Sequence, residues 1–115
     1  MVTQEPGGDS GRRRAWANPT EVDAGSGVAR QLELMNELAA GRISGPEFAR
    51  SWLAARRRVL DDRERVRERF DRILTDVFYL LDDYKIDPQL RGRNDISDAE
   101  LVERVRHAIA RLGEL

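Results

Sequence analysis

The sequence predicts an all-α fold: an antiparallel four-helix bundle over residues 27–115, preceded by a disordered N-terminal leader over residues 1–26. Apolar residues recur at spacings of three and four in four separate segments, as they do in helices that bury one face. Two of those segments open with the same start signal, Ile43-Ser44-Gly45-Pro46-Glu47-Phe48 and Ile96-Ser97-Asp98-Ala99-Glu100-Leu101. No segment reads as a strand. Four amphipathic helices joined by short connections pack most simply as an antiparallel bundle.

The leader contains Pro6, Gly7, Gly8, Gly11, Pro19 and Gly25 among scattered polar residues, without apolar periodicity, and so is expected to be disordered. Trp16 is its one large apolar side chain and is expected to be exposed. The first helix runs from Val28 through Leu32, Met35 and Ala39 with Leu38 beside them, and Gly41 ends it, because glycine takes φ > 0 without a Cβ clash. In the second, Ser44 is placed to cap, Glu47 to reach back to it, and Ile43 to pack on Phe48, while Pro46 sits in the first turn where its missing N–H costs little. Phe48, Trp52, Ala55 and Val59 continue its apolar face.

The apolar period breaks at Asp61–Glu64, where a turn is expected, because an unbroken helix from 45 to 86 is too long for a domain this small. A third helix then carries Val66, Phe70, Ile73, Leu74, Val77, Phe78, Leu81 and Tyr84, the strongest periodic signal in the chain. Pro88 stops it by excluding Asp87 from the α region. The last helix buries Leu101, Val105, Ala108 and Leu112, and Gly113 closes it.

Composition narrows the function. The chain has 115 residues, no cysteine and a net charge of −1, which fits one small domain without disulfides or thiolate metal sites and argues against a nucleic-acid-binding footprint over the whole domain. The charge is unevenly spread: residues 42–72 hold ten arginines and six acids, net +4, whereas residues 76–103 hold eight acids and three bases, net −5. Arg12-Arg13-Arg14 leads into Ala15-Trp16-Ala17-Asn18-Pro19 rather than an apolar run, so a soluble, cytoplasmic protein with no membrane partner is expected.

Enzyme chemistry finds little purchase. His107, the single histidine, lies off the apolar stripe of the last helix and reads as a solvated residue, no nucleophile–base pair is evident, and no phosphate-binding loop is present. Asp87 to Asp98 has the twelve-residue frame of a calcium loop with Gly92 sixth, but Gln89, Arg91 and Asp98 at the third, fifth and twelfth positions are the wrong ligands, so no cofactor or metal is expected. The arginines around 56–72 alternate with acids, and pairs such as Glu64 with Arg67 can neutralise them along the helix. Carboxylates at a helix C-terminus oppose the macrodipole, so Asp82, Asp83 and Asp87 are candidates for a surface matched to a basic partner, or else incidental acids on a solvated end.

The helix ending in Gly41, then Arg42-Ile43-Ser44 and Glu47-Phe48, followed by Asp82-Asp83-Tyr84, Asp87-Pro88-Gln89-Leu90-Arg91, Asp95-Ile96 and Glu100-Leu101, resembles the colicin D immunity protein-like family of small bacteriocin immunity proteins over residues 32–112. The resemblance implies a non-enzymatic four-helix bundle that binds the nuclease domain of a cognate toxin, a ribonuclease cutting transfer RNA in the anticodon loop, and blocks its active site with acidic groups where phosphates would lie. It implies partner-binding roles for Asp82, Tyr84 and Asp87, an acid, an aromatic and an acid at the end of the third helix. Asp83 joins them through its place in the acidic cluster, and Asp83, Lys85, Gly92-Arg93 and the leader have no counterpart in the pattern. A monomer is expected in the free state. Two other classes stay open on the residues alone: a helical interaction or regulatory module, and a nucleic-acid binder using the Arg56–Arg72 face.

Overall fold

The computed structural model describes residues 14–84, 92 and 95–115. Four α-helices account for most of them: α1 Gly27–Ala39, α2 Gly45–Asp61, α3 Glu68–Asp83 and α4 Asp98–Leu112. No strand occurs among the described residues, so the all-α bundle stands. α1 and α4 lie against each other, with α2 packed along α1 and α3 along α4. The large side chains Phe48, Trp52 and Phe70, all fully buried, join one core with Leu34, Met35, Val77, Leu101 and Val105.

The serine half of each predicted start signal is in place, without a return bond from the Glu47 or Glu100 carboxylate. The Ser44 hydroxyl accepts from the Glu47 N–H at 3.2 Å and the Ser97 hydroxyl from the Glu100 N–H at 3.1 Å, each satisfying a donor that the first helical turn leaves open. α4 buries Leu101, Val105, Ala108 and Leu112 as the spacing requires. On α1 the buried stripe is rotated from the expected one. Gln31, Leu34, Met35 and Leu38 face inward with Val28, whereas Leu32 and Ala39 are only half-buried. A polar residue on the inner face, Gln31 at 2% exposure, hid the true stripe from an apolar pattern.

α1 and α2 end alike. At α1, the Gly41 N–H bonds to the Leu38 carbonyl and the Arg42 N–H to the Glu37 carbonyl, with Gly41 at φ 76°. At α2, Arg63 takes the same left-handed role at φ 55°, its N–H bonding to the Leu60 carbonyl and the Glu64 N–H to the Val59 carbonyl. Both are Schellman closures, the second built on a residue with a Cβ. The turn expected at 61–64 is therefore present, but α3 begins at Glu68, not at Val66.

Glu64 has a different partner from the one expected. Its two carboxylate oxygens accept the Gly27 and Val28 N–H groups at 2.8 and 3.0 Å, which places a negative charge on the N-terminus of α1. α1 comes this close because Gly27 has no side chain: a Cβ there would lie 2.7 Å from the Val59 Cγ2 and 3.0 Å from the Ala55 carbonyl oxygen.

The N-terminal leader requires a correction. Residues 14–26, expected to be disordered, lie on the domain, while residues 1–13 fall outside the described residues. Trp16 is 6% exposed and belongs to the core. Its N–H donates to the Arg65 carbonyl at 3.0 Å and its carbonyl accepts from the Arg67 N–H at 2.8 Å, an isolated parallel bridge to Val66 in the α2–α3 turn. Asn18 then caps a 3-10 turn over Pro19–Glu21, and the Glu21 carboxylate accepts the Ala17 N–H at 2.8 Å. The segment carries no periodicity because one tryptophan, its two backbone bonds to the α2–α3 turn and the Arg58 bond to the Gly25 carbonyl, not a repeated face, hold it down.

Candidate partner-binding surface

α3 is amphipathic to its last turn. Phe70, Ile73, Leu74, Val77, Leu80 and Leu81 are buried, and the opposite side leaves Asp76, Tyr79, Asp82 and Asp83 exposed. No basic residue occupies the last turn. Asp82 and Asp83 have neither a hydrogen bond nor an ion pair to another described residue. Two carboxylates at the negative end of a helix dipole, without a compensating cation among the described residues, cost stability where they stand.

Tyr84 is turned the other way. At 3% exposure its ring continues the apolar stripe, and its hydroxyl donates to the Asp98 Oδ1 at 2.5 Å. Gly45, the first residue of α2, lies directly beneath this contact; a Cβ there would collide with the Tyr84 hydroxyl and come within 3.0 Å of the Asp98 Oδ1. The end of α3 and the starts of α2 and α4 thus meet at one point. Of the residues singled out from sequence, Asp82 and Asp83 are brought together on the surface, Tyr84 lies beneath them as part of the fold, and Asp87 lies outside the described residues. Most of the Asp87–Asp98 calcium-loop frame is also outside them. Among the described residues, no three histidine, aspartate or glutamate side chains converge to hold a metal ion.

Tyr79 was not legible as a surface residue of interest. It is 60% exposed, one of two large apolar side chains so placed among the described residues, and its ring leans on Phe78 at 5.7 Å and 56°. Phe78 in turn lies under the Arg56 guanidinium, 3.9 Å from the ring centroid. The signal was present, since Tyr79 is the one aromatic of α3 outside its apolar stripe. Beside it a groove of about 320 Å³ runs between α3 and α4, lined by Asp76, Tyr79 and Asp83 on one side and Arg104, His107 and Arg111 on the other. Its arginines are already matched, Arg111 with Asp76 at 2.7 Å and Arg104 with Glu100 at 3.0 Å. His107 is exposed.

The chain order puts the arginines at the far end. The α2–α3 turn, with Arg63, Arg65, Arg67 and Arg69 exposed, is a helix length away from Asp82 and Asp83. Arg63, Arg65, Arg67 and Arg69 and the Asp82–Asp83 pair thus sit at opposite ends of α3.

The described residues form a small all-helical bundle domain whose last α3 turn exposes two acids. Residues 27–112 match the sequence model of the bacterial self-protective colicin-like immunity family, and the chain is a member of that family. Membership assigns it a general role in bacteriocin immunity, with a cognate toxin as its partner. No curated protein and no solved structure matches it. The match begins where α1 begins, so the Trp16 segment lies outside it. No helix among the described residues is long and apolar enough to cross a membrane.

Proposed function

We propose that this protein neutralises its toxin by occupying the active site of a basic nuclease domain, with Asp82, Asp83 and Asp87 standing where substrate phosphates would bind. The supporting observation is the pair of exposed carboxylates at the C-terminal end of α3, which oppose the helix dipole and have no cation to answer them among the described residues. The fold does not need these charges, and a cationic partner would. Burial against arginine or lysine side chains turns an unfavourable intramolecular arrangement into a favourable intermolecular one, while the opposite fields of the two proteins speed encounter.

In this reading the protein performs no chemistry and acts as a monomer. Tyr84 supports the surface from below by fixing the α3–α4 corner rather than meeting the partner with its ring. The nuclease is proposed to be a transfer-RNA-cleaving ribonuclease; its substrate lies in the cytoplasm, so inhibition takes place there. Asp82→Arg combined with Asp87→Arg tests the assignment. The variant is expected to fold normally and to lose binding to the nuclease domain encoded beside it. Unaltered binding by a folded variant would exclude these acids as the contact.

A further inference from the structure

Resting on the proposed mode of inhibition, we infer that Tyr79 is the aromatic anchor of the interface, and that the α3–α4 groove beside it receives a lysine- or arginine-bearing segment of the toxin domain. Three observations converge on it. Tyr79 exposes 60% of its surface on a helix that otherwise buries its large apolar residues or half-buries them. Its ring leans on Phe78 at 5.7 Å, Phe78 lies under Arg56, and a tyrosine has only two side-chain torsions to fix on binding. Asp82 and Asp83 follow it by three and four residues, which on a helix makes them its immediate neighbours, about 5–6 Å away between Cβ atoms.

Charge complementarity selects the occupant. A cation placed over the Tyr79 face gains from the ring quadrupole and reaches Asp82 or Asp83 with its hydrogen bonds. Within the groove Asp76 already pairs with Arg111, so Asp83, which has no ion pair to another described residue, is the carboxylate that meets the incoming cation, on the Tyr79 side and away from Arg104 and Arg111. An exposed aromatic beside two carboxylates is also an arrangement in which one residue can dominate affinity, the anchor excluding water from the ion pairs next to it.

The test measures affinity for the toxin nuclease domain encoded beside this gene, with circular dichroism and a thermal melt verifying each variant's fold. Tyr79→Ala is expected to weaken binding by about 30-fold or more, and Tyr79→Phe, which keeps the ring, to remain within about threefold of the parent. His107→Trp, at an exposed groove position, is expected to weaken binding by about tenfold by filling the groove, and binding within about twofold of the parent by that folded variant overturns the groove as the receiving site. Binding of Tyr79→Ala within about twofold of the parent, in a protein whose acid reversals still abolish binding, overturns this inference and leaves the acidic surface standing. Failure of the parent protein to bind the domain removes the proposed function itself, and the anchor with it.

Discussion

The Tyr84 hydroxyl donates to the Asp98 carboxylate at 2.5 Å, linking the last turn of α3 to the first residue of α4 above Gly45. A buried ring thereby fixes the surface on which Asp82 and Asp83 are presented. A neutral donor to a charged acceptor in a partly buried setting contributes about 1.5–3 kcal/mol. Tyr84→Phe is expected to lower unfolding free energy by about that amount in urea titration, and Gly45→Ala to be destabilising because its methyl group and the hydroxyl need the same space.

Trp16 buries a large aromatic that no helix contributes. Trp16→Ala is expected to cost about 3–5 kcal/mol, the range for removing a buried aromatic. A chain begun at residue 27 should unfold at a similarly reduced urea concentration, although it retains the whole family-matched region.

The Glu64 carboxylate serves α1 as a cap supplied from 36 residues away. Glu64→Ala is expected to cost about 1–2 kcal/mol, and Glu64→Gln less, since the amide oxygen still accepts one N–H but brings no charge to the dipole. Denaturant titration of both variants checks the order of the losses.

Arg63 occupies a left-handed position that glycine fills at Gly41. Arg63→Gly should therefore raise stability by about 1 kcal/mol, by removing a Cβ from a conformation that disfavours it. The gain is visible as a higher urea midpoint with an unchanged slope.

Where the sequence was readable, the cause was local. Ser44 and Ser97 bond to N–H groups three residues away, and Leu101, Val105, Ala108 and Leu112 recur on one helix face, so a short window contains both the residue and its reason. Trp16 and Glu64 could not be read this way, because their partners, the Arg65–Arg67 backbone and the start of α1, lie some 35 to 50 residues off in the chain. Gln31 was obscured by its polarity. On the surface, charge pattern located Asp82 and Asp83, and the α3 period put Tyr84 on the buried stripe and Tyr79 off it, in agreement with their exposures of 3% and 60%.

The most direct test of the central claim is competition between this protein and RNA for the toxin nuclease domain, read by fluorescence anisotropy of a labelled RNA on a catalytically silenced form of that domain. Occupation of the active site predicts that one equivalent of the protein releases the RNA completely, and that the Asp82→Arg, Asp87→Arg double variant releases none at the same concentration. A stable ternary complex, with RNA still bound to the inhibited domain, would contradict it.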